Sequence, residues 1–204
     1  MRQFGDNFNR ANENPIAAPW TNFVGALSIV SNVVRPTTVD NEDVAGGVFT
    51  SAGNDWFASI KLTTLSGTGE NFVVLYGMDG SGNGYSFLAR MNPGANPTSQ
   101  ISRQDGFAGT ALVTESATTW ASGDILMGVR LGSKLFLYRN GVLLLSTTEA
   151  TYSVAAGASL SLRHNTPNTP ANLEVDDYFV ADPAIREFTL MRQVRAMTDY
   201  RRLN

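Results

Sequence analysis

The chain has 204 residues and no cysteine; a compact fold of this size buries roughly 70% of its unfolded surface and needs no staples. Disulfide scaffolds, cysteine-ligated zinc, thiol catalysis and iron–sulfur chemistry are excluded at once. Net charge is −3, charged residues make up only 16% of the chain and His164 is the one histidine, so neither bulk attraction to nucleic acid or anionic membrane nor a multi-histidine metal site is expected.

Met1-Arg2-Gln3-Phe4-Gly5-Asp6 leads into polar sequence without the apolar core of a signal peptide. No run approaches the roughly 18 apolar residues of a membrane helix. Synthesis in a cytoplasm and no membrane insertion are the expectation. Further on, 56–62, 85–91, 135–139 and 160–163 alternate apolar and polar residues with period two. That spacing turns one face of an antiparallel strand inward and the other outward. Trp56 and Phe57 are adjacent, so one of the two must face away from the interior. The proline-bearing stretches 92–97 and 164–170 read as loops, since proline removes a donor and restricts its neighbour. Gly132-Ser133 and Asn140-Gly141 divide 125–131, 134–139 and 142–146 into a three-strand meander, with Asn-Gly predicting a tight type I′ turn. Strand after strand with almost no helical period argues for an all-β sandwich. Composition changes at Pro183. Residues 1–182 hold 10 basic and 16 acidic residues, whereas 183–204 hold five arginines against Glu187 and Asp199.

Asp6-Asn7-Phe8-Asn9-Arg10-Ala11-Asn12, followed by Trp20, resembles the opening of the concanavalin A-like, laminin-G-like jelly rolls found in bacteriophage virion proteins. Gly123-Asp124 through Arg139-Asn140-Gly141-Val142 resembles their strand, strand, turn, strand segment. Val175-Asp176-Asp177-Tyr178-Phe179-Val180 resembles their closing strand. The resemblance covers about residues 4–182. It implies a two-sheet antiparallel jelly-roll sandwich over 1–182, with first and last strands side by side, followed by an arm over 183–204. The fold serves lectins, glycanases, adhesion modules and virion parts alike, so function has to be argued from sites.

Glycanases of this fold place two or three carboxylates on one strand face, a retaining pair needing about 5–5.5 Å between them. Glu174 and Asp176 begin that pattern, but Tyr178 and Phe179 occupy the positions of the third carboxylate. No Gly-x-Ser-x-Gly surrounds any serine, and no catalytic residue is assigned. Asp40-Asn41-Glu42-Asp43 and the loop 79–84 offer oxygens of the kind calcium takes. Turn chemistry explains the same residues better, so no metal or cofactor is assigned. Trp20, Trp56 and Trp120 are candidate glycan platforms, with core plugs as the competing use of such large rings. On a helical wheel the apolar residues of 185–203 scatter all round, and the segment is too hydrophobic for disorder. Arg186, Phe188, Met191, Arg192, Arg195, Tyr200, Arg201 and Arg202 are therefore the candidate partner-binding residues of an anchoring arm. The resemblance then implies a non-enzymatic virion protein, a capsid decoration or cement protein that binds other virion subunits. A symmetric oligomer, a trimer for instance, would cover its edge strands. The alternative is a carbohydrate-binding adhesin or tail module that recognises host glycans.

Overall fold

A computed structural model describes residues 3–37, 43–50, 55–92, 94, 96–152 and 157–182. The arm at 183–204, with all eight of its candidate partner-binding residues, lies outside the described residues, as do 40–42. Strands follow in chain order: β1 (Gln3–Asp6), β2 (Thr21–Val24), β3 (Leu27–Val30), β4 (Val33–Pro36), β5 (Asp43–Thr50), β6 (Trp56–Leu65), β7 (Asn71–Met78) and β8 (Gly84–Met91). Then come β9 (Ser99–Asp105), β10 (Ala108–Glu115), β11 (Ile125–Leu131), β12 (Lys134–Arg139), β13 (Val142–Thr148), β14 (Gly157–His164) and β15 (Leu173–Ala181). A short 3₁₀ turn, Pro170–Asn172, precedes β15.

The strands form two antiparallel sheets. An eight-stranded sheet runs β13-β12-β11-β6-β15-β4-β3, with β1 also paired to β15; a seven-stranded sheet runs β10-β9-β8-β7-β14-β5-β2. First and last strands lie side by side, Phe4 opposite Val180 and Asp6 opposite Tyr178. The expected two-sheet sandwich is the observed fold. The meander forms as read: Asn140 and Gly141 sit at φ 51° and 78°, the positive pair that a type I′ turn requires. Gly132 alone is positive in the preceding turn, at 60°. There glycine meets the steric demand at a single position.

Period-two alternation decides what is inside. Trp56, Ala58, Ile60 and Leu62 of β6 meet Val73 and Leu75 of β7 and Phe87 of β8 between the sheets. Phe57 points the other way, into a separate cluster on the outer face with Met127, Val129 and Ala181. His164 ends β14 opposite Asn71 and is fully buried, so the loop read over 164–170 begins one residue later.

The loop at 164–170 is held by a buried amide rather than by apolar contact. Asn168 accepts from Gly69 N–H at 3.0 Å and donates to Gly69 O at 2.8 Å and to Asn71 Oδ1 at 2.9 Å. Asn71 in turn donates to Ser66 O at 2.9 Å. Asn168→Ala strips partners from groups that water does not reach, and unsatisfied buried groups cost about 1–3 kcal/mol each. We expect it to lower stability by about 3 kcal/mol, read as a fall in the urea midpoint. An unchanged midpoint would show that the loop is held by something else.

Candidate functional site

None of the three tryptophans offers a platform to solvent. Trp20 is 4% exposed, Trp56 1% and Trp120 2%. Trp20 donates its indole N–H to Asp6 Oδ2 at 2.7 Å and packs edge-on against Tyr178 and Phe4. Trp120 donates to Ser99 Oγ at 3.1 Å. Trp56 lies against Phe87 with ring centroids 5.6 Å apart. Rings of this size bury enough apolar area to be claimed by the interior, and the glycan role is corrected to a core role for all three.

Glu174 and Asp176 do share a face, the outer face of the eight-stranded sheet. Glu174 accepts from the Thr64 hydroxyl at 2.8 Å and lies 3.8 Å from Arg35. After Asp176 the strand bulges at Asp177, φ 53°. The bulge sends Tyr178 into the core and Phe179 outward. The arrangement is an acidic cluster beside an arginine, with apolar groups where further carboxylates would be needed. A groove of about 230 Å³ nearby is lined by Glu13, Asn14, Arg35, Pro36 and Pro170 among others. Its charged groups are already paired, Arg10 with Glu13 at 2.9 Å and Arg35 with Glu174.

The loop at 79–84 uses its aspartate on itself. Asp79 Oδ1 accepts from Ser81 N–H and Asn83 N–H, both at 2.9 Å. These backbone bonds, that from Asn83 foremost, hold the carboxyl below the usual carboxylate range. Among the described residues, no three His, Asp or Glu side chains gather as a metal site.

The same loop supports the feature that sequence reasoning missed. The β9–β10 hairpin turns at Gly106 and Phe107, with φ 61° and 70°. A left-handed conformation is ordinary for glycine and an outlier for a bulky side chain. Phe107 is nevertheless 61% exposed, its ring resting on Gly82. Its N–H donates to Gly82 O at 3.0 Å, and Gly106 N–H donates to Asn83 Oδ1 at 3.0 Å. Charged and planar groups crowd the base of the hairpin. Arg103 Nε bonds Asp105 Oδ2 at 3.0 Å and its guanidinium lies 3.8 Å from Glu149; the Tyr152 hydroxyl donates to Asp105 Oδ1. The Tyr152 and Arg103 bonds keep Asp105 below the usual carboxylate range, and Thr151 does the same for Glu149. The 79–84 loop thus supports the exposed ring, while Glu149 and Tyr152 pair with Arg103 and Asp105 at the base of the same hairpin. The sequence carries part of the signal: Gly106 between two polar-apolar runs marks a turn, but Asp105-Gly106 would place it one residue early, since Asp105 pairs with Ala108 and the turn residues are Gly106 and Phe107.

No family model matches the sequence, and no curated protein matches it. Solved structures do resemble the fold. The exoplasmic/lumenal domain of VIP36, in a form bound to Ca²⁺ and Man3GlcNAc, superposes with a TM-score of 0.64 at 11% identity over 82% of this chain and 86% of that one. The carbohydrate-binding module CBM66 from Bacillus subtilis gives 0.57 at 10% identity, over 78% and 91%. A Bacillus subtilis protein of unknown function with a galectin-like fold gives 0.57 at 12% identity, over 90% and 96%. At these identities the likeness is one of fold: a galectin-like, concanavalin A-like sandwich.

Proposed function

We propose that this chain is a non-catalytic carbohydrate-binding module whose site is the end of the seven-stranded sheet around Phe107. The observation that carries the reading is the Phe107 ring, mostly exposed and held at a backbone conformation that disfavours it. Strain of this kind persists where the surrounding structure over-determines it, and it clusters at binding sites. The C–H face of a pyranose ring is apolar and packs on an aromatic face, while its hydroxyls need acceptors and donors at the rim. Asp105 and Glu149 are acceptors kept ionised, and the Arg103 guanidinium supplies donors. Charge-assisted bonds of this type are the strong ones. The likeness to carbohydrate-binding folds supports the reading without choosing the sugar. Attachment to a virion through 183–204 rests wholly on residues outside the described set, and the glycan reading leads.

A glycan array probed with the full chain at high micromolar concentration is the test. We expect a defined subset of glycans to bind, and Arg103→Ala to weaken that binding about tenfold by unlocking Asp105. An array with no binder overturns the proposal.

A further inference from the structure

A free sheet edge presents a row of unpaired N–H and C=O groups, and native chains cover, shorten, bulge or charge such edges. The β3 edge is covered by the segment that precedes β2. Glu13 N–H donates to Ile29 O at 3.0 Å, Ile29 N–H to Glu13 O at 2.9 Å, and Ile16 N–H to Leu27 O at 2.7 Å. The β2 edge is four residues long and bulges between Asn22 and Val24. The other two edges, β10 and β13, are neighbours on one side of the sandwich. On β10 the stretch 108–111 is exposed throughout, holds neither charge nor proline, and is regular up to a bulge at Leu112. Its free side follows from the turn before it. A two-residue turn at Gly106 and Phe107 is closed by the bonded pair Asp105 and Ala108. Bonded and non-bonded pairs then alternate, so Ala108 and Thr110 bond to β9, while Gly109 and Ala111 turn N–H and C=O outward. Among the described residues nothing pairs with that outward side.

We infer that β10 pairs antiparallel with β10 of a second copy, about a two-fold axis through Thr110, so that two seven-stranded sheets run on as one. A second copy fits because the strip is its own complement. In that register Gly109 of one copy faces Ala111 of the other, and each such pair exchanges two backbone hydrogen bonds. Thr110 meets Thr110 at the axis as a non-bonded pair with Cα atoms about 4.5 Å apart, the closer of the two pair types, in which threonines stabilise each other. No charge opposes itself across the axis. Glu115, the one charged residue of β10, is engaged by Ser99, Ala117 and Thr118 of its own chain. On the same side of the sandwich, Val142 and Leu143 of β13 are 65 and 48% exposed and add apolar area beside the seam. A seam this narrow stays below the roughly 1,200 Å² that stable complexes bury, so the dimer is weak. The pairing does not depend on the glycan reading. The Phe107 ring leans on Gly82 of the β7–β8 turn, away from the β10 edge, and stays open in the dimer.

Sedimentation velocity of the full chain from about 5 µM to about 500 µM is the first measurement. The mean coefficient should climb from the monomer value towards that of a dimer, with a Kd on the order of 100 µM. Ala111→Pro removes an outward N–H that the single chain leaves unused, a place where edge strands accept proline, and should weaken association at least about tenfold. Cysteine reports the register, since the chain has none of its own. Position 110 lies at the axis within disulfide reach of its copy. Thr114, also exposed on β10, lies about 27 Å from its copy in the same register. With diamide as the oxidant that takes up the two thiol hydrogens, Thr110→Cys should form a covalent dimer at least about tenfold faster than Thr114→Cys. Should the proline variant fail to fold, the cysteine pair decides alone. A parent that stays monomeric or closes into a trimer refutes the pairing. Association untouched by Ala111→Pro, or equal rates from the two cysteine positions, refutes it as well.

Discussion

Gly77→Ala should lower stability by about 3 kcal/mol, with the urea midpoint falling and the slope of the transition unchanged. A methyl group at Gly77 would stand 2.0 Å from Trp56 Cζ2 and 2.4 Å from Cε2. That is a collision with the body of a ring 1% exposed, not with the end of a flexible chain. The ring has no room to retreat, because the two sheets are locked reciprocally at this level. Trp56 projects from the eight-stranded sheet onto Gly77 of β7, and Phe87 projects from the seven-stranded sheet onto Gly128 of β11, where an added Cβ would lie 2.3 Å from Phe87 Cδ2. The two rings then meet each other edge to face, with an interplanar angle of 77°. Each glycine is the hole for the opposite sheet's knob. Gly80→Ala is the control, since nothing lies within 4 Å of the added atom. Trp56→Phe should partly rescue Gly77→Ala, a coupling expected only between residues in contact. The rescue loses no hydrogen bond, because the buried Trp56 Nε1 has no partner among the described residues. A Gly77→Ala midpoint within error of the parent would mean that the sheets can shift apart, and the reciprocal lock would be refuted.

The meander was legible because it rests on local chemistry, whereas the pairing of the first and last strands followed only from the resemblance. Asn140-Gly141 dictates its own turn, and alternation in β6 sends Ala58, Ile60 and Leu62 to one face whatever the partner strand. What alternation could not give is which of two adjacent aromatics takes the inside. That choice was made by Gly77 in the opposite sheet, 21 positions along, which leaves a hole of indole size. Trp20 illustrates the same limit. Its neighbours Pro19 and Thr21 suggest a loop, yet Asp6, fourteen residues earlier, captures the indole N–H and the ring closes the end of the core. Phe107 shows the limit in the reverse direction. It is the second turn residue of the β9–β10 hairpin, and the left-handed backbone there explains why an apolar ring stands in water. Contacts across the sandwich, not strand identity, were the part that the linear order concealed.

Phe107→Gly is expected to raise stability by about 1 kcal/mol and to abolish glycan binding. A bulky residue in the left-handed region costs roughly 1–2 kcal/mol that glycine does not. Against this, glycine loses about 0.5–1 kcal/mol through the greater freedom of its unfolded chain. The ring is 61% exposed, so its contact with Gly82 offsets little. The backbone bond from position 107 to Gly82 O, 3.0 Å long, survives the change. Phe107→Ala separates the two effects. It removes the ring but keeps a Cβ at φ 70°, so binding falls while the strain stays and stability does not rise. Loss of one stacking platform should weaken binding at least about tenfold, equivalent to 1.4 kcal/mol. Thermal unfolding of the three proteins, beside titration with whichever glycan the array returns, reads both quantities from the same samples. If Phe107→Gly is less stable than the parent, the turn is not strained and the argument from stored strain is lost. If both variants bind as the parent does, the sugar sits elsewhere on the sandwich. On the proposed glycan reading, the phenylalanine stands where glycine would fold better because its ring meets a sugar outside the chain.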